Sequence, residues 1–273
     1  MPSLLYHEED TFLHRLNPLT KLATALLLML ALTVIITPVF SLYATAVTVA
    51  AIGILGRVPP GRLARLLLPV AALSLGVVWT TIAFYVPDLS SRSRPLWTIG
   101  GLVVTDQGVA YGLVVALRML GFFSASLLFV LTTDPTDFVQ ALIQRLHLGY
   151  RIGYGAHAAY GFVPLLDSEL ATIRAAHRIR GVAGGGGPVE RYRYVMSLLV
   201  PLLTGAVRRA ERVALAMDAR GFGAYPSRTF YRRSTFGRAD LAFAVGALVL
   251  IGGCLLVLAL VGWLGRLVPP IFG

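Results

Sequence analysis

Apolar residues along this chain come in five long runs, at residues 19–36, 39–55, 66–86, 108–131 and 241–264. Each is close to the roughly 20 residues that a helix needs to cross a bilayer. Only Thr37 and Pro38 separate the first two, which predicts a tight helical hairpin. In lipid every backbone donor and acceptor needs an internal partner, so all five runs are expected to be helices.

Between the fourth and fifth runs the pattern changes. Thr132-Thr133-Asp134-Pro135-Thr136-Asp137 reads as a helix start, with Asp134 as cap, Pro135 at the first helical position and Asp137 in the first turn. Phe138, Leu142 and Leu146 follow at helical spacing and predict a short amphipathic helix. Two longer helices are expected over 158–180 and 190–220, the second broken near Pro201. Gly184 to Gly187 and Pro188 separate them, since four glycines cost a helix about 1 kcal/mol each. Val207, Ala210, Ala214 and Met217 share one moderately apolar face of the later helix, which suits a helix that lies along the membrane surface or packs beneath the spans instead of crossing. Residues 160–166 and 195–207 are apolar but do not reach spanning length free of charges. The expected organisation is membrane helices over 1–131, cytoplasmic helices over 132–239, and a fifth span with an external C-terminus over 240–273.

Composition agrees with a membrane protein. The chain is 56% hydrophobic and 14% charged, with mean hydropathy +0.75, whereas soluble domains carry about a quarter of their residues as charges. Its net charge of +11 lies mostly between Arg145 and Arg238. With five spans, Arg15, Lys21, Arg57, Arg62, Arg65 and this basic block all fall on one side. That side is expected to be the cytoplasm, with the N-terminus inside and the C-terminus outside. Arg92 and Arg94 oppose this orientation, partly offset by Asp88 and Asp106. Glu8, Glu9 and Asp10 precede the first run and no small-residue cleavage site follows it, so a retained span is expected in place of a signal peptide.

Several chemistries find no support. Basic charge beside membrane spans reads as topology, and no nucleic-acid partner is expected. Cys254 is alone, so neither a disulfide nor a cysteine metal site is available. His7, His14, His147, His157 and His177 show no metal-ligand spacing. The four glycines before Pro188 lack the lysine and Ser/Thr of a phosphate loop. No metal or cofactor is expected, and no ATP site. Arg118 stands inside the fourth run, where a charge costs upward of about 2.5 kcal/mol, and pairing with carbonyls is the expected resolution. Small residues at 44–51 and 246–253 suit close helix approach, and Trp79, Trp97 and Trp263 suit membrane interfaces.

The two long helices of the basic block end alike, in Ile179-Arg180-Gly181-Val182 and Ala219-Arg220-Gly221-Phe222. Each has arginine in the last turn, a glycine able to turn left-handed, and an apolar residue that packs back. One cation at a helix C-terminus merely complements the dipole, worth about 0.3–1 kcal/mol. Its repetition on consecutive helices points to docking, because a guanidinium offers a planar fork of donors to a partner's carboxylates or carbonyls. A helix lying in a partner's groove supplies the remaining contact.

With these motifs the chain resembles the transmembrane T component of energy-coupling factor (ECF) transporters, the group that includes cobalt-type permeases. The resemblance rests on Asn17-Pro18-Leu19-Thr20-Lys21-Leu22, on Thr132-Thr133-Asp134-Pro135 and on the two arginine endings, with residues 216–222 the most specific piece. It covers nearly the whole chain, although His177 and Ile179 stand where glutamine and alanine are common in that family. It implies a cytoplasmic module of coupling helices that cross one another. It also implies that Ile179, Arg180, Gly181 and Ala219, Arg220, Gly221 contact two ABC-type ATPases. A separate S component in the bilayer would then bind the vitamin or metal ion, and this chain would be a non-catalytic scaffold that transmits ATPase movement for import. The alternative is a self-contained secondary transporter, which needs polar groups within the spans and finds only Arg118. An intramembrane lipid-modifying enzyme ranks last, because the acidic residues form no metal pattern.

Overall fold

The computed structural model describes residues 11–84, 95–99, 102–146, 148–182, 187–225, 229–230 and 234–261. His7, Glu8, Glu9, Asp10, Asp88, Arg92, Arg94, His147, Gly184, Gly185, Gly186 and Trp263 lie outside the described residues, as do 85–86 and 262–264 at the ends of two predicted runs.

Apart from one short β-hairpin, the described elements are helices: α1 Phe12–Arg15, α2 Pro18–Val34, α3 Pro38–Ile54, α4 Pro60–Phe84, α5 Asp106–Thr132, α6 Pro135–Arg145, α7 Tyr150–Ile179, α8 Pro188–Ala219 and α9 Arg238–Leu260. Five of them open on proline, whose fixed φ and missing N–H suit the first helical position. Side-chain caps secure others. Asn17 Oδ1 accepts from the Leu19 N–H at 3.0 Å, Thr37 Oγ1 from Phe40 at 3.3 Å and Thr105 Oγ1 from Gly108 at 3.1 Å. The protein is an all-α membrane protein. By length and composition, α4, α5 and α9 are long and apolar enough to cross a membrane. At 17 residues each, α2 and α3 are about 26 Å long, the short end of the spanning range.

The packing separates two compact units, 135–234 and 2–134 together with 235–273. In the apolar unit α5 is the central helix, with eleven buried residues where α4 buries only Leu63 and Ser74. One core cluster joins Ile52, Val58, Leu63, Leu127, Leu128 and Leu131. A second joins Leu32, Phe40, Ala44 and Leu258, so α9 packs on the α2–α3 hairpin. Gly121 of α5 packs closely on both helices of that hairpin: a Cβ there would lie 2.8 Å from Leu32 Cδ1 and 3.2 Å from Thr45 Oγ1.

Four expectations need correction. A hairpin precedes α5, with β1 (Pro95–Ile99) antiparallel to β2 (Leu102–Thr105) and Ile99 opposite Leu102. Its signal was legible in Gly100-Gly101 between β-branched residues. α4 begins at Pro60, six residues before its apolar run, because a proline start and the Arg62 and Leu63 bonds to the Pro59 carbonyl carry the helix through charged turns. Where a start at 158 was expected, α7 begins at Tyr150, and Gly153 lets Ile143 of α6 pack directly on its backbone. α8 runs unbroken through Pro201.

Arg118 is also not resolved as expected. Its Nε and Nη2 are buried, and among the described residues no carbonyl or hydroxyl takes them. For the purified chain in detergent, Arg118→Met is expected to raise the melting temperature by removing about 1–3 kcal/mol of unmet polar burial. Gly121→Leu should lower it by a comparable overpacking cost of about 1–3 kcal/mol against the fully buried Leu32. Differential scanning fluorimetry checks both, and a melting order in which the glycine variant is the more stable contradicts this packing.

Candidate functional site

Within 135–234 the two long helices pair in reverse order along their lengths. The His177 ring meets Tyr194 at 6.0 Å near one end, Glu169 meets Arg209 at 3.3 Å in the middle, and Tyr150 meets Phe222 at 5.6 Å at the other end. Val207, Ala210 and Ala214 of the moderately apolar stripe are exposed, and the side of α8 turned towards α7 carries Tyr194, Leu198, Gly205 and Arg209. Gly205 gives the Glu169 carboxylate a seat at the backbone, and the ion pair is part of the contact. On the opposite side Val200, Leu203 and Val207 form an exposed apolar stripe, 57–62% accessible.

Both arginine endings are complete Schellman caps. Gly181 has φ +68°, its N–H donates to the Arg178 carbonyl at 3.2 Å, and Val182 donates to His177 at 3.0 Å. Gly221 has φ +71°, with Gly221 donating to Asp218 at 2.9 Å and Phe222 to Met217 at 3.0 Å. Arg180 and Arg220 are thus the cap residues themselves, held at the last helical step and exposed. Ile179 beside Arg180 is 89% exposed, an isoleucine left in water at a rigid tip. The antiparallel pairing puts the two arginines at opposite ends of a 30-residue helix, about 45 Å apart at 1.5 Å per residue.

The two tips differ in their support. At the Arg220 tip, Tyr150 Oη donates to the Tyr225 carbonyl and Arg151 Nη2 to the Gly223 carbonyl, both at 2.7 Å. Phe222 sits edge-on to Tyr150 and also to Tyr154, the latter at 6.0 Å. Tyr150, Tyr154, Phe222, Gly223, Tyr225 and Arg220 line a hollow of about 480 Å³. Among the described residues no comparable brace reaches Arg180. The sequence reading did not anticipate the Tyr150–Arg151 brace, since it started α7 after both residues.

The other two quoted motifs also come together, at the ends of helices in the apolar unit. Lys21 is 1% exposed, inside α2, and Nζ donates to the carbonyl of Thr132, the last residue of α5, at 2.6 Å. It is therefore a buried bonding residue, where the sequence reading took it for a topological charge. Among the described residues no three of His, Cys, Asp and Glu cluster as a metal site.

Comparison with known proteins gives the family. The CbiQ family, described as cobalt transport protein, matches residues 9–231. An energy-coupling factor transporter transmembrane protein EcfT from Limosilactobacillus fermentum is 33% identical over 249 residues, 88% of this chain and 91% of that protein. EcfT from Bacillus subtilis is 29% identical over 258 residues, covering 90% and 93%. A putative ABC transporter ATP-binding protein from Bifidobacterium longum is 28% identical over 247 residues, 88% of this chain but only 31% of its own length. Similarity to the EcfT proteins over most of both sequences and a family match over residues 9–231 place the chain in the CbiQ cobalt transport protein family, as the transmembrane (T) component of an ECF transporter.

Proposed function

We propose that this T component is the mechanical link of an ATP-driven importer, in which Arg180 and Arg220 dock into two ABC-type ATPases and a separate S component in the membrane binds the vitamin or metal ion. The observation that carries this reading is the pair of exposed, glycine-capped arginines about 45 Å apart on one helix pair. A standard interface of about 800 Å² per partner is roughly 30 Å across, so tips this far apart suit two docking patches and not one. A capped helix end cannot fray, and a guanidinium stays charged when a groove desolvates it.

Charge supports the same partner chemistry. Residues 135–234 hold 14 arginines against six carboxylates, +8 of the chain's +11, which favours acidic or carbonyl-rich grooves. The relative named as an ATP-binding protein carries a stretch like this chain within a longer polypeptide, which is consistent with a T-type sequence working beside an ATPase. The exposed stripe Val200, Leu203 and Val207 offers an apolar surface on which an S component could rest. On this reading the basic block is cytoplasmic, the N-terminus inside and the C-terminus outside. The chain hydrolyses nothing itself and leaves substrate choice to the S component.

Affinity co-purification from membranes tests the proposal. ATPase subunits should come down with the tagged chain, and Arg180→Glu with Arg220→Glu should release them. Losing one buried charge-assisted contact costs about 2–5 kcal/mol, at least roughly 30-fold in affinity per tip. Retention of both ATPases by the double variant refutes docking at these tips.

A graded outcome follows from the brace. Arg151→Ala removes the donor to Gly223, worth about 1–3 kcal/mol for a charged hydrogen bond, and should weaken ATPase retention in an Arg180→Glu background, where only the Arg220 tip remains. In the Arg220→Glu background Arg151→Ala should change nothing. Binding titrations of detergent-solubilised variants read the difference.

A further inference from the structure

The chain passes from the apolar unit to 135–234 and back at two places, 134–135 and 234–235. Both crossings are tied down by one turn of α2. Lys21 Nζ donates to the Thr132 carbonyl at 2.6 Å, three residues before the outward crossing. Asn17 Nδ2 donates to the carbonyl of Thr235, the first residue after the return, at 3.4 Å. The Asn17 main-chain N–H donates to Asp240 Oδ1 at 2.6 Å, and Asp240 Oδ2 accepts from the Gly237 N–H at 2.8 Å, which fixes the start of α9. Asn17 is the N-cap of α2 and Lys21 lies in its first turns, so both donors sit at the start of one helix. Asn17, Lys21, Thr132 and Asp240 are all 6% exposed or less, so the outward tie is dry, while Thr235 on the return side is exposed and its bond to Asn17 is part-buried.

We infer that Asn17 and Lys21 are positioning residues for energy coupling, a clamp that joins both crossings to α2 so that displacement of 135–234 passes into α2, α5 and α9. This rests on the docking reading above. A force applied to 135–234 reaches the apolar unit covalently only through these two peptides. A slack crossing absorbs it by local backbone rotation. A crossing whose carbonyl is held by a buried donor resists that rotation, because breaking the bond leaves the Lys21 ammonium or the Asn17 side-chain amide unmet out of water. Neither residue touches a docking tip, so the clamp separates coupling from docking.

Lys21→Met keeps the aliphatic stem and removes the donor, while Asn17→Ser keeps a competent N-cap and removes the reach to Thr235. In the isolated chain, hydrogen exchange at the amides of 132–134 and 235–237 should quicken at least tenfold in the matching variant, with α3 and α4 unchanged. Unaltered exchange there overturns the clamp whatever docks to the tips. In the complex with its co-purified ATPases, ATP with vanadate is the probe. Wild type should show a nucleotide-dependent exchange change in 135–234 and in α2 and α9. Lys21→Met should keep the ATPases and the change in 135–234 while the change in α2 and α9 falls at least threefold. An equal response of α2 and α9 in both proteins sinks the inference, as does a loss that merely tracks a lower melting temperature or yield of folded complex. Failure of the docking reading looks different: Arg180→Glu with Arg220→Glu would keep its ATPases.

Discussion

Every helix ends with four carbonyls or four N–H groups that its own spiral cannot satisfy, and in a chain built for lipid those groups cannot be left to water. How this protein meets them decides where its chemistry sits. α7 and α8 finish by turning a glycine left-handed and folding their last carbonyls back onto their own chain. That local solution needs no neighbour and leaves the cap arginine facing outward. α5 finishes on a carbonyl taken by the ammonium of Lys21 from another helix, and α2 and α9 begin on caps in which Asn17 and Asp240 serve each other. Self-sufficient ends make free tips; shared ends make joints.

That distinction explains what was legible in the sequence. Glycine after arginine marks a self-closed end with no knowledge of the fold, so Arg180, Gly181, Arg220 and Gly221 could be located by reading alone. The apolar runs were equally plain, because about 20 residues of hydrocarbon leave little choice of element. Lys21 was visible but misassigned, since its charge suits an interface anchor and only the placement of Thr132 turns it into a buried donor. Asp240 carried a local signal, an acid at the third position of α9 where it can cap its own helix, and went unremarked beside the apolar run that follows. The Tyr150–Arg151 brace had no local signal, because its acceptors are the carbonyls of Tyr225 and Gly223 more than 70 positions away. The side of α8 that meets α7 was not legible either, because Gly205 and the Glu169–Arg209 pair make a contact face out of residues that a polarity pattern assigns to solvent.

The two units are built to different standards of packing. α5 has eleven buried residues among 27. α7 has one among 30, Gly153, and α8 one among 32, Leu198. Hydrophobic burial within the chain therefore holds the apolar unit, whereas the long pair is held by an ion pair, a histidine–tyrosine edge contact and the aromatic cluster at Phe222. A pair so lightly packed on itself keeps most of its surface for partners. Arg118 is the exception in the tightly packed unit, a guanidinium with two buried nitrogens unmet in the middle of its most buried helix.

Light packing also bears on how such a pair can carry movement. Each helix is stiff along its axis, since its hydrogen bonds are internal, apart from the acceptors freed at Tyr160 and Ser197 by Pro164 and Pro201. The joint between the helices is soft by comparison, with few buried side chains to unpack when one slides on the other, and small sliding of packed helices is a common mode of protein motion. Stiff rods with a soft joint convert an approach of their two tips into shear or rotation, not into bending. For that conversion to matter elsewhere, the crossings must be fixed more firmly than the joint is. The Lys21–Thr132 bond before the outward crossing meets that condition, because a dry, charged hydrogen bond is harder to break than a half-exposed ion pair such as Glu169–Arg209.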